Sequence, residues 1–220
     1  MAASQTIYGR QPVAEAERGR RAVKRVWRAP ETSAEELERL CGSPDHQGVV
    51  AEVDPYPYAD PNAVASGDGL VIALDQVQDP RNLGAVARSA EVAGASGLVI
   101  PERRAAEVTA VACKASAGAV EHLPIARVRN LADWLATAKD AGFWIWGADA
   151  DASGPPWKAD FDGPLVLVLG GEGQGIRPRV AAACDGLVAL PQAGRVESLN
   201  VSAAAAALLF EAVRQRSQGS

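Results

Sequence analysis

The segment LPQAGRVESLNVS, residues 190–202, decides the architecture of the chain around it. The apolar run GLVALP (186–191) stops at Pro191, a glycine-containing loop follows, and an alanine-rich apolar stretch then runs to FEAVRQR (210–216). This is a strand end, a loop and a helix start. Three hydrogen-bonding side chains, Glu197, Ser198 and Asn200, crowd the boundary. Polar groups at this density, on a loop held by a scaffold, mark a site more than a core. Two further segments share the character: DPRNLGAVARSAEVAG (79–94) and LGGEGQGIRP (169–178).

Outward from that segment, short apolar runs alternate with helical patterns. LVIAL (70–74), GLVI (97–100), LPIARV (123–128), FWIWGA (143–148), PLVLVLG (164–170) and GLVALP (186–191) read as strands. Between them, helices are expected over about 83–93, 107–116 and 130–141, with a short one after Pro178 and a last one over 199–216. Continuous apolar strands separated by helices predict a parallel sheet covered on both faces, an α/β class. Ahead of them, helical character over about 11–22, a short strand around Val23–Val26, a helix from Ser33 and the apolar run GVVAEV (48–53) form a smaller region. Ser33 followed by Glu36 fits a capping box. DPYPYADPNAVASGDG (54–69) is rich in Pro, Gly and Asp and reads as a connecting stretch. The division expected is 1–60, a linker at 61–69, and a main domain over 70–220.

A chain of 220 residues accommodates one large domain, or one with a small appendage. Hydrophobic residues make up 48% and charged residues 22%, an ordinary balance for a globular protein. No apolar run approaches the roughly 20 residues of a membrane helix. MAASQTIYGRQP lacks the apolar core of a signal peptide. Cys41, Cys113 and Cys184 are odd in number, far apart and not spaced as metal ligands. The expectation is a cytoplasmic protein with reduced thiols and no metal. The net charge of −5 argues weakly against a nucleic-acid partner. Residues 10–28 counter it with Arg10, Arg18, Arg20, Arg21, Lys24, Arg25 and Arg28 against Glu15 and Glu17, a candidate basic face for RNA or an ordinary solvated surface.

GGEGQGI (170–176) follows the fifth strand of the main domain, where open α/β sheets bind ligands. Successive glycines let a backbone approach a ligand and leave N–H groups free for it. The spacing is neither the dinucleotide fingerprint nor a P-loop, which disfavours a dehydrogenase. A tight turn accounts for one or two of the glycines, but not for four together with Glu172. In the 79–94 segment Asn82 stands near a helix start, where a cap is the ordinary role. Arg88 stands among Ala and Val, so its charge is expected to have a partner: a bound phosphate, or a carboxylate such as Glu91 or Glu172.

NLGAVARSAEVAG (82–94), LVLGGEGQGI (167–176) and LPQAGRVESLNVSAAAAALLFEAVRQR (190–216) together resemble the three motifs of the SpoU (TrmH-like) RNA 2′-O-ribose methyltransferases of the SPOUT class. The likeness covers about 70–216. TIYGRQPV (6–13) and HQGVVAEVDPYPY (46–58) resemble the two ends of the small RNA-binding domain in the branch that methylates a guanosine of large-subunit rRNA. The resemblance implies a C-terminal deep trefoil knot, S-adenosylmethionine as methyl donor, RNA as substrate and a homodimer. It assigns cofactor contacts to Gly170, Leu190, Gly194 and Leu199, and the catalytic constellation to Asn82, Arg88, Glu172, Ser198 and Asn200.

The family's counterpart of Arg88 is assigned the role of base. Arginine stays protonated in proteins, so a clamp on the phosphate and the developing oxyanion is the physically preferred role. Relative to the family, the N-terminal domain is short by about a strand and a helix, which leads to the expectation that residues 1–60 are less rigidly folded than 70–216, or rely on a partner. Competing readings are a tRNA ribose methyltransferase and a non-catalytic knotted RNA-binding protein. The presence of all five catalytic-motif side chains opposes the latter.

Overall fold

The computed structural model describes residues 4–171, 173, 175–195 and 198–218. In chain order the elements are β1 (Gln5–Tyr8), α1 (Arg10–Ala16), β2 (Val23–Arg28), α2 (Ala34–Cys41), β3 (Val49–Val53), α3 (Pro61–Val64), β4 (Leu70–Asp75), α4 (Pro80–Val92), β5 (Gly97–Pro101) and α5 (Ala110–Ala115). They continue with β6 (Ile125–Val128), α6 (Leu131–Asp140), β7 (Trp144–Ala148), β8 (Leu165–Gly170), α7 (Pro178–Ala181), β9 (Gly186–Val188) and α8 (Val201–Arg216). The chain divides into two compact units. One comprises residues 1–57, 80–88 and 107–122, the other 58–79, 89–106 and 123–220.

The first unit carries an antiparallel sheet in the order β1-β3-β2. Tyr8, Leu37 and Val50 form its small core, with Trp27, Leu40 and Ala110 packed around it. α2 starts as the Ser33–Glu36 spacing predicts, with the Ser33 hydroxyl accepting from the Glu36 N–H at 3.2 Å. The Glu36 carboxylate turns instead to Arg39, so only half of the capping box forms. Arg21 is 5% exposed, which removes it from the basic face expected over 10–28. Its guanidinium forks onto the fully buried Glu121 carboxylate, with Nε at 2.9 Å from Oε2, and also reaches Gln5 and the Cys113 sulfur. A buried charge needs a partner of this kind.

The second unit is built on a six-stranded parallel sheet in the order β6-β5-β4-β8-β7-β9. Val71, Ala73, Val99, Val166 and Val168 face α6 and α7 through Leu131, Leu135 and Val180. Ile72, Leu74, Leu98, Leu167 and Leu169, on the opposite face, are equally buried. Burial on both faces explains why these strands are continuous apolar runs rather than alternating ones. The Pro- and Asp-rich stretch 54–69 holds more order than its composition suggests. Asp60 caps the one-turn α3, Ala59 N–H donates to the Ile125 carbonyl at 2.8 Å, and Trp134 Nε1 donates to the Pro61 carbonyl at 3.1 Å.

Candidate active site

The chain winds from β4 through β5 to β6 on one side of the sheet, while β7 and β9 lie beyond β8 on the other. The switch falls between β4 and β8, and ligands of open α/β sheets bind at the carboxyl ends of such strands. Asp75, the last residue of β4, pairs in register with Gly170, the last residue of β8. The glycine cluster therefore begins where a ligand is expected.

Gly170 and Gly171 have a steric reason to be glycine. A Cβ on Gly170 would lie 2.0 Å from the Gly175 carbonyl carbon and 2.4 Å from the Ile176 nitrogen. A Cβ on Gly171 would lie 2.6 Å from the Gln76 carbonyl oxygen. The segment closes on itself, with Gly175 N–H donating to the Gly171 carbonyl at 3.1 Å. Gly173 and Gly175 have φ of +74° and +61°, the left-handed region, and among the described residues beyond their chain neighbours no atom lies within 4 Å of their Cβ positions. The entry of the turn is thus packed backbone to backbone. Glu172 lies outside the described residues.

The loop after β9 presents the second group. Leu190 is half-buried two residues past the strand end. Gly194 is exposed, and among the described residues beyond its chain neighbours no atom lies within 4 Å of its Cβ position. Ser198 and Asn200 are exposed, as is Leu199 at 51%. The last helix begins at Val201 rather than at Leu199 because Asn200 is its cap. The Asn200 side-chain oxygen Oδ1 accepts from the Ser202 N–H at 2.8 Å and from the Ser202 hydroxyl at 2.5 Å. Val196 and Glu197 lie outside the described residues. Gly170, Leu190, Gly194, Ser198, Leu199 and Asn200 all belong to the second unit.

Asn82 and Arg88 stand on α4, which begins five residues after the end of β4. Their spacing of six positions puts them roughly 120° apart around a helix of about 3.6 residues per turn. Asn82 is half-buried and Arg88 exposed, while Leu83, Val86, Ala87 and Ala90 form the buried face. Among the described residues Arg88 takes part in no ion pair. Of the carboxylates expected as partners, Glu91 makes no ion pair with Arg88, whose exposure leaves it solvated, and Glu172 lies outside the described residues.

Sequence reasoning passed over two residues that shape these groups. Gly84, between Asn82 and Arg88, is where α4 meets α5: a Cβ there would lie 2.5 Å from the Ala112 carbonyl oxygen. Its signal was a glycine inside an otherwise strong helix pattern. Asp75 is fully buried yet charged, and its signal was an acid closing the apolar run LVIAL. Two of the three thiols are poor nucleophiles: burial pushes Cys113 up to about 11 and Cys184 up to about 12. Among the described residues no cluster of His, Cys, Asp or Glu could hold a metal ion, and no helix is long and apolar enough to cross a membrane.

Comparison with known proteins gives this geometry a family. Residues 69–210 match the SpoU rRNA Methylase family, and residues 28–59 match the family described as RNA 2′-O ribose methyltransferase substrate binding. An uncharacterized tRNA/rRNA methyltransferase of Mycobacterium sp. strain KMS is 45% identical over 84% of this chain, which spans 61% of that relative's length. The YacO protein of Bacillus subtilis strain 168, named for the TrmH family of tRNA/rRNA methyltransferases, is 45% identical over 78% of this chain and 71% of its own length. The SpoU methyltransferase AviRb of Streptomyces viridochromogenes, solved with its cofactor AdoMet, superposes with a TM-score of 0.83 at 27% identity, covering 96% of this chain and 90% of AviRb. An AdoMet-bound rRNA methyltransferase of Sinorhizobium meliloti gives 0.84 at 26% identity, covering 96% of this chain and 87% of that one. The chain belongs to the SpoU rRNA methylase family.

Proposed function

We propose that the protein transfers a methyl group from S-adenosylmethionine to a ribose 2′-hydroxyl of RNA, with a guanosine of large-subunit rRNA as the target. The observation that carries this is the closely packed glycine turn at the β4–β8 switch point, within the segment that matches the catalytic family and in a chain that also matches the substrate-binding family. S-adenosylmethionine supplies an electrophilic methyl on a sulfonium when bound. Gly173, Gly175 and Gly194 carry no side chains of their own, so a ligand can approach their backbone groups closely, and the exposed Leu199 offers apolar surface that gains by being covered. These features fit an adenosine-bearing ligand. Gly170, Leu190, Gly194 and Leu199 would hold it, in a C-terminal segment folded as a trefoil knot.

The 2′-hydroxyl is a weak acid, so its developing negative charge needs stabilisation. Arg88 is assigned that role: its guanidinium stays charged, is free among the described residues to grip an RNA phosphate, and donates in a fixed fork. Ser198, Asn200 and Asn82 would orient the ribose and Arg88, together with Glu172. Residues 1–60 would deliver the RNA, and residues 70–220 would perform the transfer. An open groove of about 650 Å3 in the first unit, lined by Arg20, Lys24 and Asp54 among others, is one surface along which an RNA backbone could lie. A second copy of the chain is the proposed partner. Phe210 on α8 is 49% exposed and Trp157, in the turn that α8 grips through Gln215, is 56% exposed. Apolar rings of this size in solvent favour a homodimer face.

The test is a map of 2′-O-methyl sites in rRNA and tRNA from cells with and without the gene. One rRNA guanosine losing its mark fulfils the proposal. A lost mark confined to tRNA reassigns the substrate, and unchanged maps with no binding of S-adenosylmethionine reject the activity.

A further inference from the structure

Asp75 is a charged residue in the sheet core that the proposed mechanism does not use. It is 0% exposed at the end of the central strand β4. Burying a carboxylate is costly unless it is paired and hydrogen-bonded. Here the pairing is complete and all of it goes to one residue. Asp75 Oδ2 accepts from the Arg177 backbone N–H at 2.9 Å. Asp75 Oδ1 accepts from Arg177 Nε at 2.9 Å and from its terminal nitrogen at 2.6 Å. Arg177 is the residue at which the glycine segment ends and α7 begins.

The other end of that segment is equally constrained. Gly170 is in register with Asp75 itself, and Gly171 abuts the carbonyl of Gln76, a non-glycine residue at φ +61°. Entry and exit of the turn are therefore both anchored on two consecutive residues, Asp75 and Gln76. The Arg177 side chain is 42% exposed, so water screens part of the pair's attraction. A device for stability alone is poorly served by a half-solvated arginine. A device that sets the direction of a chain is well served by three convergent hydrogen bonds.

We propose that Asp75 is a positioning residue for the cofactor site: by holding Arg177 at main chain and side chain it keeps the glycine turn in the shape that receives S-adenosylmethionine. This rests on the methyltransferase function proposed above. Without the carboxylate the turn samples other shapes, and the cofactor must select the competent one, which weakens apparent affinity.

The experiment is calorimetric titration of S-adenosylmethionine into the wild-type protein, Asp75→Asn and Arg177→Gln, with RNA affinity and thermal unfolding measured on the same samples. Wild type should bind. Both variants should bind about tenfold more weakly, equal to about 1.4 kcal/mol, with unchanged affinity for RNA. The double variant should be no worse than either single one, because both remove the same tie. Steady-state assays should show KM for S-adenosylmethionine rising while KM for RNA stays. A merely structural role would lower the unfolding temperature and leave the cofactor Kd of the folded protein unchanged, and that result overturns the proposal. If Asp75→Asn does not fold, Arg177→Gln decides, since its side chain is half in solvent. Wild type failing to bind would instead reject the methyltransferase function itself, and this proposal with it.

Discussion

Replacing Gly84 by alanine puts two opposing terms in direct competition. Gly84 is buried within α4. Alanine in a helix interior is favoured over glycine by about 1 kcal/mol. Against this, the new methyl would stand 2.5 Å from the Ala112 carbonyl oxygen, 2.7 Å from Ala115 Cβ and 3.0 Å from the Ser116 nitrogen. None of these is the end of a flexible side chain. Restoring ordinary contact needs α4 to withdraw from α5 by roughly 1 Å, and such overpacking costs about 1–3 kcal/mol. Because the obstacle is α5 backbone, the upper part of that range applies. The net loss expected is about 1–2 kcal/mol, a fall in Tm of roughly 2–8 °C for a chain of this size. Far-ultraviolet circular dichroism against temperature and urea measures it. The same withdrawal displaces Arg88, so methyl-transfer activity should fall even at temperatures where the variant is fully folded. An alanine variant as stable as wild type, or more stable, would refute the steric argument and the close approach of the two helices.

Other consequences follow from the buried groups and from Arg88. Glu121→Ala strands the Arg21 guanidinium, whose side chain is 1% exposed, and should cost about 3–5 kcal/mol in chemical denaturation. Glu121→Gln keeps a hydrogen-bonding partner and should cost less. With Cys113 near 11 and Cys184 near 12, both thiols are protonated at pH 8, so alkylation of the native protein should modify only Cys41, while all three react in denaturant. Rapid labelling of the partly exposed Cys184 would contradict its raised pKa. If Arg88 is a clamp, the single-turnover rate should show no titration near neutrality that disappears on Arg88 substitution. Arg88→Lys should retain part of the rate, and a near-neutral group lost with Arg88 would make it the base instead.

The strands of the parallel sheet were legible because burial on both faces leaves an unbroken apolar run, as in LVIAL and PLVLVLG. Their order was not legible, because β8 inserts between β4 and β7 through contacts distant in sequence. β1 passed unnoticed: four residues, QTIY, are too few to show a period. Helix starts were misjudged where a side chain intervenes. Asn200 caps α8 and so delays it, and Thr109 caps α5, so that the helix begins at Ala110, three residues after the Glu107 start expected from the pattern. The glycine turn and the loop over 190–200 stood out as a candidate site through their density of glycines and hydrogen-bonding side chains. The acid closing LVIAL and the glycine inside the 83–93 helix pattern were visible, but their partners were not: Arg177 lies 102 residues from Asp75, and Ala112, which Gly84 meets, stands on another helix. Arg21 shows the reverse error. Within a run of arginines it looks like surface, but a glutamate 100 residues away takes it into the core.

The most direct test is to incubate the protein with S-adenosylmethionine carrying a labelled methyl group and with large-subunit rRNA, then digest the RNA to nucleosides and identify the product by mass spectrometry. The account predicts label on the 2′-oxygen of guanosine, abolished by Arg88→Ala in a protein that still binds the cofactor. Label on a base, or no transfer to any RNA by a protein that binds S-adenosylmethionine, would contradict it.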